Sequence, residues 1–298
     1  MIQPPATAQS DWAGLTLDRP RVMGVLNVTP DSFSDGGRIE PEAAIAAGLA
    51  MRADGADIVD VGGESGVTNR PAVDAQEEIA RVVPLIERIA GELGAVVSVD
   101  TYKPSVAAAA IAAGACIVND VSGLRDPALA DVCAETGAAL VLMHTRAAPK
   151  QKLLDPSYDG RMAADVVAFL AERMALARER GVADEQLILD PGPDFGKTPA
   201  QTVEALQRLD DVHALGRPVL LALSRKDFVG AITGRPPRER GAGTLAALAW
   251  GLDAGGHVFR LHDVAAAADF IAVRDVLAGR RELAADARLA ETLRREPA

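Results

Sequence analysis

The sequence predicts a single α/β domain folded as a (β/α)8 TIM barrel, and three observations carry that expectation. Short apolar runs alternate along the chain with longer, Ala-rich amphipathic segments, the pattern of parallel strands joined by crossover helices. Eight such runs occur, the number that closes a barrel. The 298 residues, 49% apolar, suit one large barrel or two ordinary domains, and no internal linker divides them.

Residues 1–20, with Pro4, Pro5 and Pro20 and weak periodicity, read as a tail with at most a short strand or hairpin capping the barrel. The barrel occupies 21–280. Its strands are expected at Val22–Leu26, Ile58–Val61, Val96–Val99, Cys116–Val118, Ala139–Met143, Leu187–Leu189, Val219–Leu223 and Val258–Leu261. Pro104, Pro127 and Pro199 stand near helix starts, and Gly94, Gly114, Gly137, Gly181 and Gly255 near helix ends. Between Gln76 and Leu93, Ile79, Val82, Val83, Ile86, Ile89, Ala90 and Leu93 form one apolar face, opposite Glu78, Arg81, Glu87 and Arg88. The segment after Val264 completes the eighth unit near Gly279, and 281–298 read as a charged helical tail.

Composition narrows the function. A net charge of −11 argues against a nucleic-acid footprint and means that an anionic substrate needs locally concentrated cations. Cys116 and Cys133 are too few for a zinc cage or a disulfide framework and read as buried small apolar residues. No apolar run is long enough to span a bilayer and the N-terminus lacks a targeting pattern, so a soluble cytoplasmic protein is expected, with no membrane partner.

In such a barrel the chemistry sits at the C-terminal ends of the strands. Polar residues stand there on nearly every strand: Asn27, then Asp60 and Glu64, Asp100, Asn119-Asp120, His144, Asp190, Ser224-Arg225-Lys226, and Arg260 with His262-Asp263. After the first strand runs a loop, Thr29-Pro-Asp-Ser-Phe-Ser-Asp-Gly-Gly37, polar enough to be solvated and supple enough to fold over a ligand.

Gly24, Leu26, Asn27 and Thr29–Gly37 match the G-x-L-N-x-T-P-D-S-F-S-D-G-G segment of dihydropteroate synthases, and the chain resembles that family from about Val22 to Val276. Asp60–Ser65, Ser98–Thr101, Asn119–Leu124, Leu142–His144, Leu189–Gly192 with Phe195–Lys197, Ser224–Lys226 and Arg260-x-His262–Val264 follow in family order. The resemblance implies condensation of (7,8-dihydropterin-6-yl)methyl diphosphate with 4-aminobenzoate, giving 7,8-dihydropteroate and diphosphate. It implies catalytic roles for Asn27, Asp35, Asp100, Lys226, Arg260 and His262, and a pterin site of Asp100, Asn119, Met143, Asp190 and Lys226. The diphosphate falls to Asn27, Arg260 and His262, with Mg2+ on Asn27, and the aminobenzoate to Phe33, Thr68, Arg70, Pro71, Phe195 and Ser224, the last taken to lie at a helix N-terminus.

These residue types suit the chemistry. Carboxylates deep in a barrel accept the paired NH donors of a pterin edge, Lys226 offers donors to its carbonyl or ring nitrogen, and an Asn oxygen suits a Mg2+ that keeps its waters. No Ser/His/Asp or Cys/His nucleophile pattern stands out. Lys103 and Arg125 read as solvated rim charges, His213 and His257 as structural.

Three departures from the family pattern stand out. The second loop, Gly66-Val67-Thr68-Asn69-Arg70, carries two extra residues; Asp194 is a new acid after strand six; and Gln201-Thr202 replace the usual His-Asn. The first two raise the expectation of reduced sulfonamide sensitivity. A pterin-dependent methyltransferase and a catalytically silent pterin-binding homologue remain alternatives. A homodimer is expected through the last helices, where Leu245, Leu248, Trp250 and Leu252 are apolar nearly all round.

Overall fold

The computed structural model describes residues 11–28, 34–35, 38–39, 41–65, 71–93 and 95–294. Eight parallel strands form the barrel: β1 (Arg21–Asn27), β2 (Ile58–Gly62), β3 (Val96–Asp100), β4 (Ile117–Asp120), β5 (Ala139–Met143), β6 (Leu187–Asp190), β7 (Leu220–Leu221) and β8 (Val258–Leu261). They pair in the order β6-β5-β4-β3-β2-β1-β8-β7, and a parallel bridge between Leu189 and Val219 closes the ring.

All eight expected strands are present, with two systematic differences. β1, β2, β3, β4 and β6 run one or two residues past the apolar run, because Asn27, Gly62, Asp100, Asn119-Asp120 and Asp190 keep their ladder pairing. β7 is shorter than expected. Val219 makes only the isolated bridge to Leu189, and ladder pairing ends at Leu221, before Ala222 and Leu223.

The helices follow their strands: α1 (Pro41–Ala53), α2 (Ala75–Leu93), α3 (Pro104–Ala112), α4 (Ala128–Thr136), α5 (Met162–Glu179), α6 (Pro199–Gln207) with the short α7 (Leu209–His213), α8 (Asp227–Thr233) with α9 (Gly241–Asp253), and α10 (Val264–Leu277). Pro104 and Pro199 occupy the first helical position as expected; Pro127 stands one residue earlier, as the N-cap of α4. Gln201 and Thr202 are structural. Gln201 completes a capping box with Thr198 and donates to Asp155 O and Asp159 Oδ1.

The core has two parts. One lies between strands and helices and includes Val82, Leu85, Ile86 and Ile89 of α2. The other fills the barrel itself, with Met23, Ile58, Ile117, Val141, Ile188, Leu220 and Val258 pointing inward from successive strands. A two-residue turn at Ala13-Gly14 folds Asp11–Trp12 back on Leu15–Thr16. It delivers Trp12, buried and donating from Nε1 to Gln186 O (3.0 Å), to this inner cluster.

Three expectations fail on the periphery. Glu78, placed by periodicity on the solvent face of α2, is buried, because Lys103 reaches across to pair with it. Lys103 is therefore no rim charge; its ammonium lies between Glu78 and Glu64 (2.6 Å). The stretch after α10 is not helical apart from one turn at Glu291–Leu293, since it is exposed throughout its described length and has no surface to pack on.

Candidate active site

Register decides which side chains meet. Asn27 pairs with Gly62, Gly62 with Asp100 and Asp100 with Asn119, so these four form one inward-facing row near the mouth of the barrel. Asp60 and Ser98, paired with each other, stand one layer below. Gly62 is small for a reason. A Cβ there would meet Asn27 Oδ1 at 3.3 Å and the Asp100 Cβ at 3.4 Å, so its absence lets the two polar side chains approach.

Above the row opens a cavity of about 610 Å3, lined by Asn27, Asp100, Phe195, Lys226, Arg260 and His262 among others. Arg260, from β8, crosses to the opposite wall: its Nε donates to Asp60 Oδ2 (2.6 Å) and its Nη2 to Asp100 Oδ2 (2.7 Å). Asp60 Oδ2 also accepts from Asn119 Nδ2 (3.0 Å). Burial, reinforced by Asp60 and opposed by Arg260, pushes Asp100 up to about 7. Burial works against the Arg260 charge, but Asp60 and Asp100 outweigh it and the guanidinium holds its proton more tightly than usual.

On the other side, Asp190 ends β6, buried, with its Oδ1 accepting from Gly192 N (2.7 Å). Burial raises its pKa, and Lys226 and Lys197 temper the rise. Gly192 sits at φ +63°, and a Cβ there would lie 2.1 Å from His144 O, so only glycine makes this turn. Lys226 is the N-cap of α8, its ammonium 4.4 Å from the centre of the Phe195 ring, and burial lowers its pKa. Met143 is the register partner of Asp190 and equally buried.

His262 Nδ1 lies 2.9 Å from Ser224 Oγ, which also accepts from His262 N (3.2 Å). His262 is solvent-exposed at the rim, yet partial burial, with Arg260, Arg225 and Lys226 nearby, pushes the ring down to about 4. Ser224 is thus committed to His262 and stands two residues ahead of the N-cap of α8, not at a helix N-terminus. That helix start receives Asp194 instead, whose Oδ2 accepts from Asp227 N and whose Oδ1 accepts from Thr202 Oγ1 (3.0 Å). The new acid is engaged in holding two loops together.

Asn119, Met143, Asp190 and Ser224 are buried rather than on the cavity surface, and Pro71 is exposed. Phe33, Thr68 and Arg70, and the side chain of Asp35, lie outside the described residues; the Asp35 backbone pairs with Arg38 in a short antiparallel ladder.

Three groups carry no assigned role in the sequence reading. Asp60 was visible as an acid inside the apolar run I-V-D-V, a burial that demands a partner, but nothing local names Arg260, 200 residues away, as that partner. A buried chain runs from Lys197 Nζ to His144 Nδ1 (2.7 Å) and from His144 Nε2 to Asp165 Oδ2 (2.9 Å). Burial and Lys197 push His144 down to about 4, while burial pushes Lys197 down to about 7. Finally, Arg240 Nη1 donates to the carbonyls of Arg225 (2.9 Å) and Lys226 (3.1 Å), bracing the turn that carries Lys226.

Asp100 on the cavity wall, with Asn119 and Asp190 buried at neighbouring strand ends, thus stands with Arg260 from β8 and Lys226 from the β7 turn at one end of the barrel. The family described as pterin binding enzyme matches residues 23–262. The chain belongs to the dihydropteroate synthase family. It is 44% identical over 249 residues to the dihydropteroate synthase of Bacillus subtilis, covering 83% of this chain and 85% of that one. The dihydropteroate synthase of Xanthomonas albilineans, solved with 4-aminobenzoic acid, superposes with a TM-score of 0.84 at 44% identity, over 92% of this chain and 99% of the other. A second structure of that enzyme, in complex with 7,8-dihydropteroate, gives 0.80 at 45% identity, over 89% and 95%.

Proposed function

We propose that this chain joins (7,8-dihydropterin-6-yl)methyl diphosphate to 4-aminobenzoate, releasing diphosphate and 7,8-dihydropteroate. The observation that carries the reading is the inward row of acceptors on β3, β4 and β6, set against Arg260, His262 and Lys226, in a chain of this family. Asp100, Asn119 and Asp190 accept from the pterin edge, Lys226 donates to the ring, and Met143 packs against it. Arg260 and His262 receive the diphosphate.

The C–O bond breaks with its electron pair leaving on the diphosphate, and the methylene cation left behind is delocalised into the pterin. The aniline nitrogen attacks it and gives up a proton to water, so no strong general base is needed. Leaving-group stabilisation is the main demand, and the cationic wall meets it. Asn27 and Asp35 take part from the first strand and its loop, and the aminobenzoate is held by Phe33, Thr68, Arg70, Pro71, Phe195 and Ser224. Ser224 would act through its hydroxyl or through His262 rather than through a helix end.

Among the described residues no group of three or more His, Cys, Asp or Glu side chains could hold a metal ion, so Mg2+ would rest on Asn27 together with phosphate oxygens and water, which its chemistry allows. Asn27 fits this part, since its side chain makes no hydrogen bond among the described residues and lines the cavity beside Arg260. When bound, Mg2+ supplies positive charge to the departing diphosphate.

We read the barrel as one domain over 21–280 and the molecule as a cytoplasmic homodimer. No helix among the described residues is long and apolar enough to cross a membrane. An apolar groove of about 330 Å3 between α6, α8 and α9 supports the dimer, with Ile232 72% and Trp250 37% exposed at its edge. Leu248 is fully buried and belongs to the core instead. A dimer mass at micromolar protein would support this assembly and a monomer mass would remove it. The activity itself is tested by coupled detection of diphosphate from the pterin diphosphate ester. Release that requires 4-aminobenzoate is expected; no release refutes the reading.

A further inference from the structure

We infer that Asp60 is a positioning residue that sets the donor and acceptor polarity of the pterin wall; the inference rests on the function proposed above. Asp60 is fully buried at the centre of β2, and its Oδ2 receives Arg260 Nε (2.6 Å) and Asn119 Nδ2 (3.0 Å). That oxygen accepts from both groups, so the NH2 of Asn119, and not its carbonyl, is turned toward it. Asp60 lies one layer below Asn119 in the register, and an amide whose nitrogen points down turns its oxygen up toward the mouth. Asn119 therefore presents an acceptor beside Asp100, which is what a donor-bearing ring edge requires.

The same oxygen fixes Arg260. With Nε on Asp60 and Nη2 on Asp100, the guanidinium is held flat against the β2–β3 wall, and Nη1 makes no hydrogen bond among the described residues. The second oxygen of Asp60 and the hydroxyl of Ser98, its register partner, are buried without a hydrogen-bond partner among the described residues. Burying such groups is costly, and a site whose polarity depends on the acid gives a reason to keep it.

The test exchanges the two side chains. In Asp60→Leu no acceptor remains below residue 119, its amide is free to flip, and affinity for the free pterin alcohol should fall about tenfold or more. In the swap Asp60→Asn/Asn119→Asp, the lower amide donates to the upper carboxylate, whose second oxygen again faces the mouth, while that NH2 no longer accepts from Arg260 Nε, a contact the free alcohol does not need. Affinity for the alcohol should recover to within about threefold of the wild type. A residue important only for stability would show no such recovery, because the swap adds a second core substitution. Unchanged affinity in the single variant, or no recovery in the swap, overturns the inference. If Asp60→Leu does not fold, the swap is compared with Asn119→Leu, and equal weakness of the two overturns it. Failure of the wild-type protein to bind the pterin alcohol would instead overturn the functional reading.

Discussion

Replacing Asp190 by Asn changes one atom and no volume, which makes it a sharp probe of the pterin wall. Gly192 N donates to Oδ1 of residue 190 at 2.7 Å, so the amide would keep its oxygen there. The NH2 then takes the position of Oδ2, where a ring NH or NH2 would meet a donor on a residue that is itself only 2% exposed. A buried donor left facing a donor costs about 2 to 4 kcal/mol of binding, or roughly 30- to 800-fold in affinity. Loss of the charge also removes a group that supports the Lys197 ammonium, whose pKa is already pushed down to about 7, so more of that lysine is neutral near pH 7. Calorimetric titration with the free pterin alcohol reads the effect without the diphosphate. Affinity within about threefold of the wild type would show that Asp190 does not meet the ring edge, and would move the pterin to another wall.

Other consequences can be measured separately. Arg260→Ala should weaken the pterin diphosphate ester far more than the alcohol, and equal losses would remove Arg260 from the anion site. Lys103→Met strips the buried Glu78 of its counter-charge while Lys150 still faces Glu64 (3.2 Å), so a loss of about 3 kcal/mol is expected, at the low end for a broken buried pair. Such a loss lowers Tm by about 5 °C in a chain of this size, and a shift under about 1 °C would refute the pairing. His257 Nδ1 accepts from Val219 N (3.1 Å), and burial, with His213 nearby, pushes the ring down to about 4. The folded state therefore binds fewer protons than the unfolded one between pH 4 and about 6.5, and stability falls as pH drops through that window. His257→Gln should flatten the slope of the urea midpoint between pH 7 and 5; an unchanged slope would place the titration elsewhere.

The barrel was legible because its evidence is local. Eight apolar runs, their Pro and Gly punctuation and a polar residue after each run are short-range features that survive without knowing what packs on what. Strand ends were placed early wherever the last ladder residue was polar, as at Asp100 and Asn119, because hydropathy registers water exposure and not hydrogen-bond pairing. Glu78 and Lys103 were misplaced for a related reason. Each looks solvated alone, and only the approach of α3 to α2 makes a buried pair of them. Ser224 was assigned to a helix start two residues too soon, since nothing in S-R-K-D says that Lys226 is the cap. The resemblance named Arg260 and Asn119, but their shared acceptor on β2 depends on closure of the ring and had no trace in spacing.

Ladder pairing around the ring is uneven, and this has a mechanical consequence. β2 is tied to β1 and to β3 over five residue pairs each, whereas β7 is tied to β8 over two and to β6 by the single Leu189–Val219 bridge. Asp60, Asp100 and Asn119 ride on the densely laced half. Asp190 and the turn bearing Lys226 flank the sparsely laced seam. Local opening should therefore have its lowest free energy beside β7, and the amides of Leu220 and Leu221 should exchange with deuterium ahead of those of Val59 and Val61. One half of the cylinder works as a stiff gauge for the ring, while the other can part and reclose around what enters.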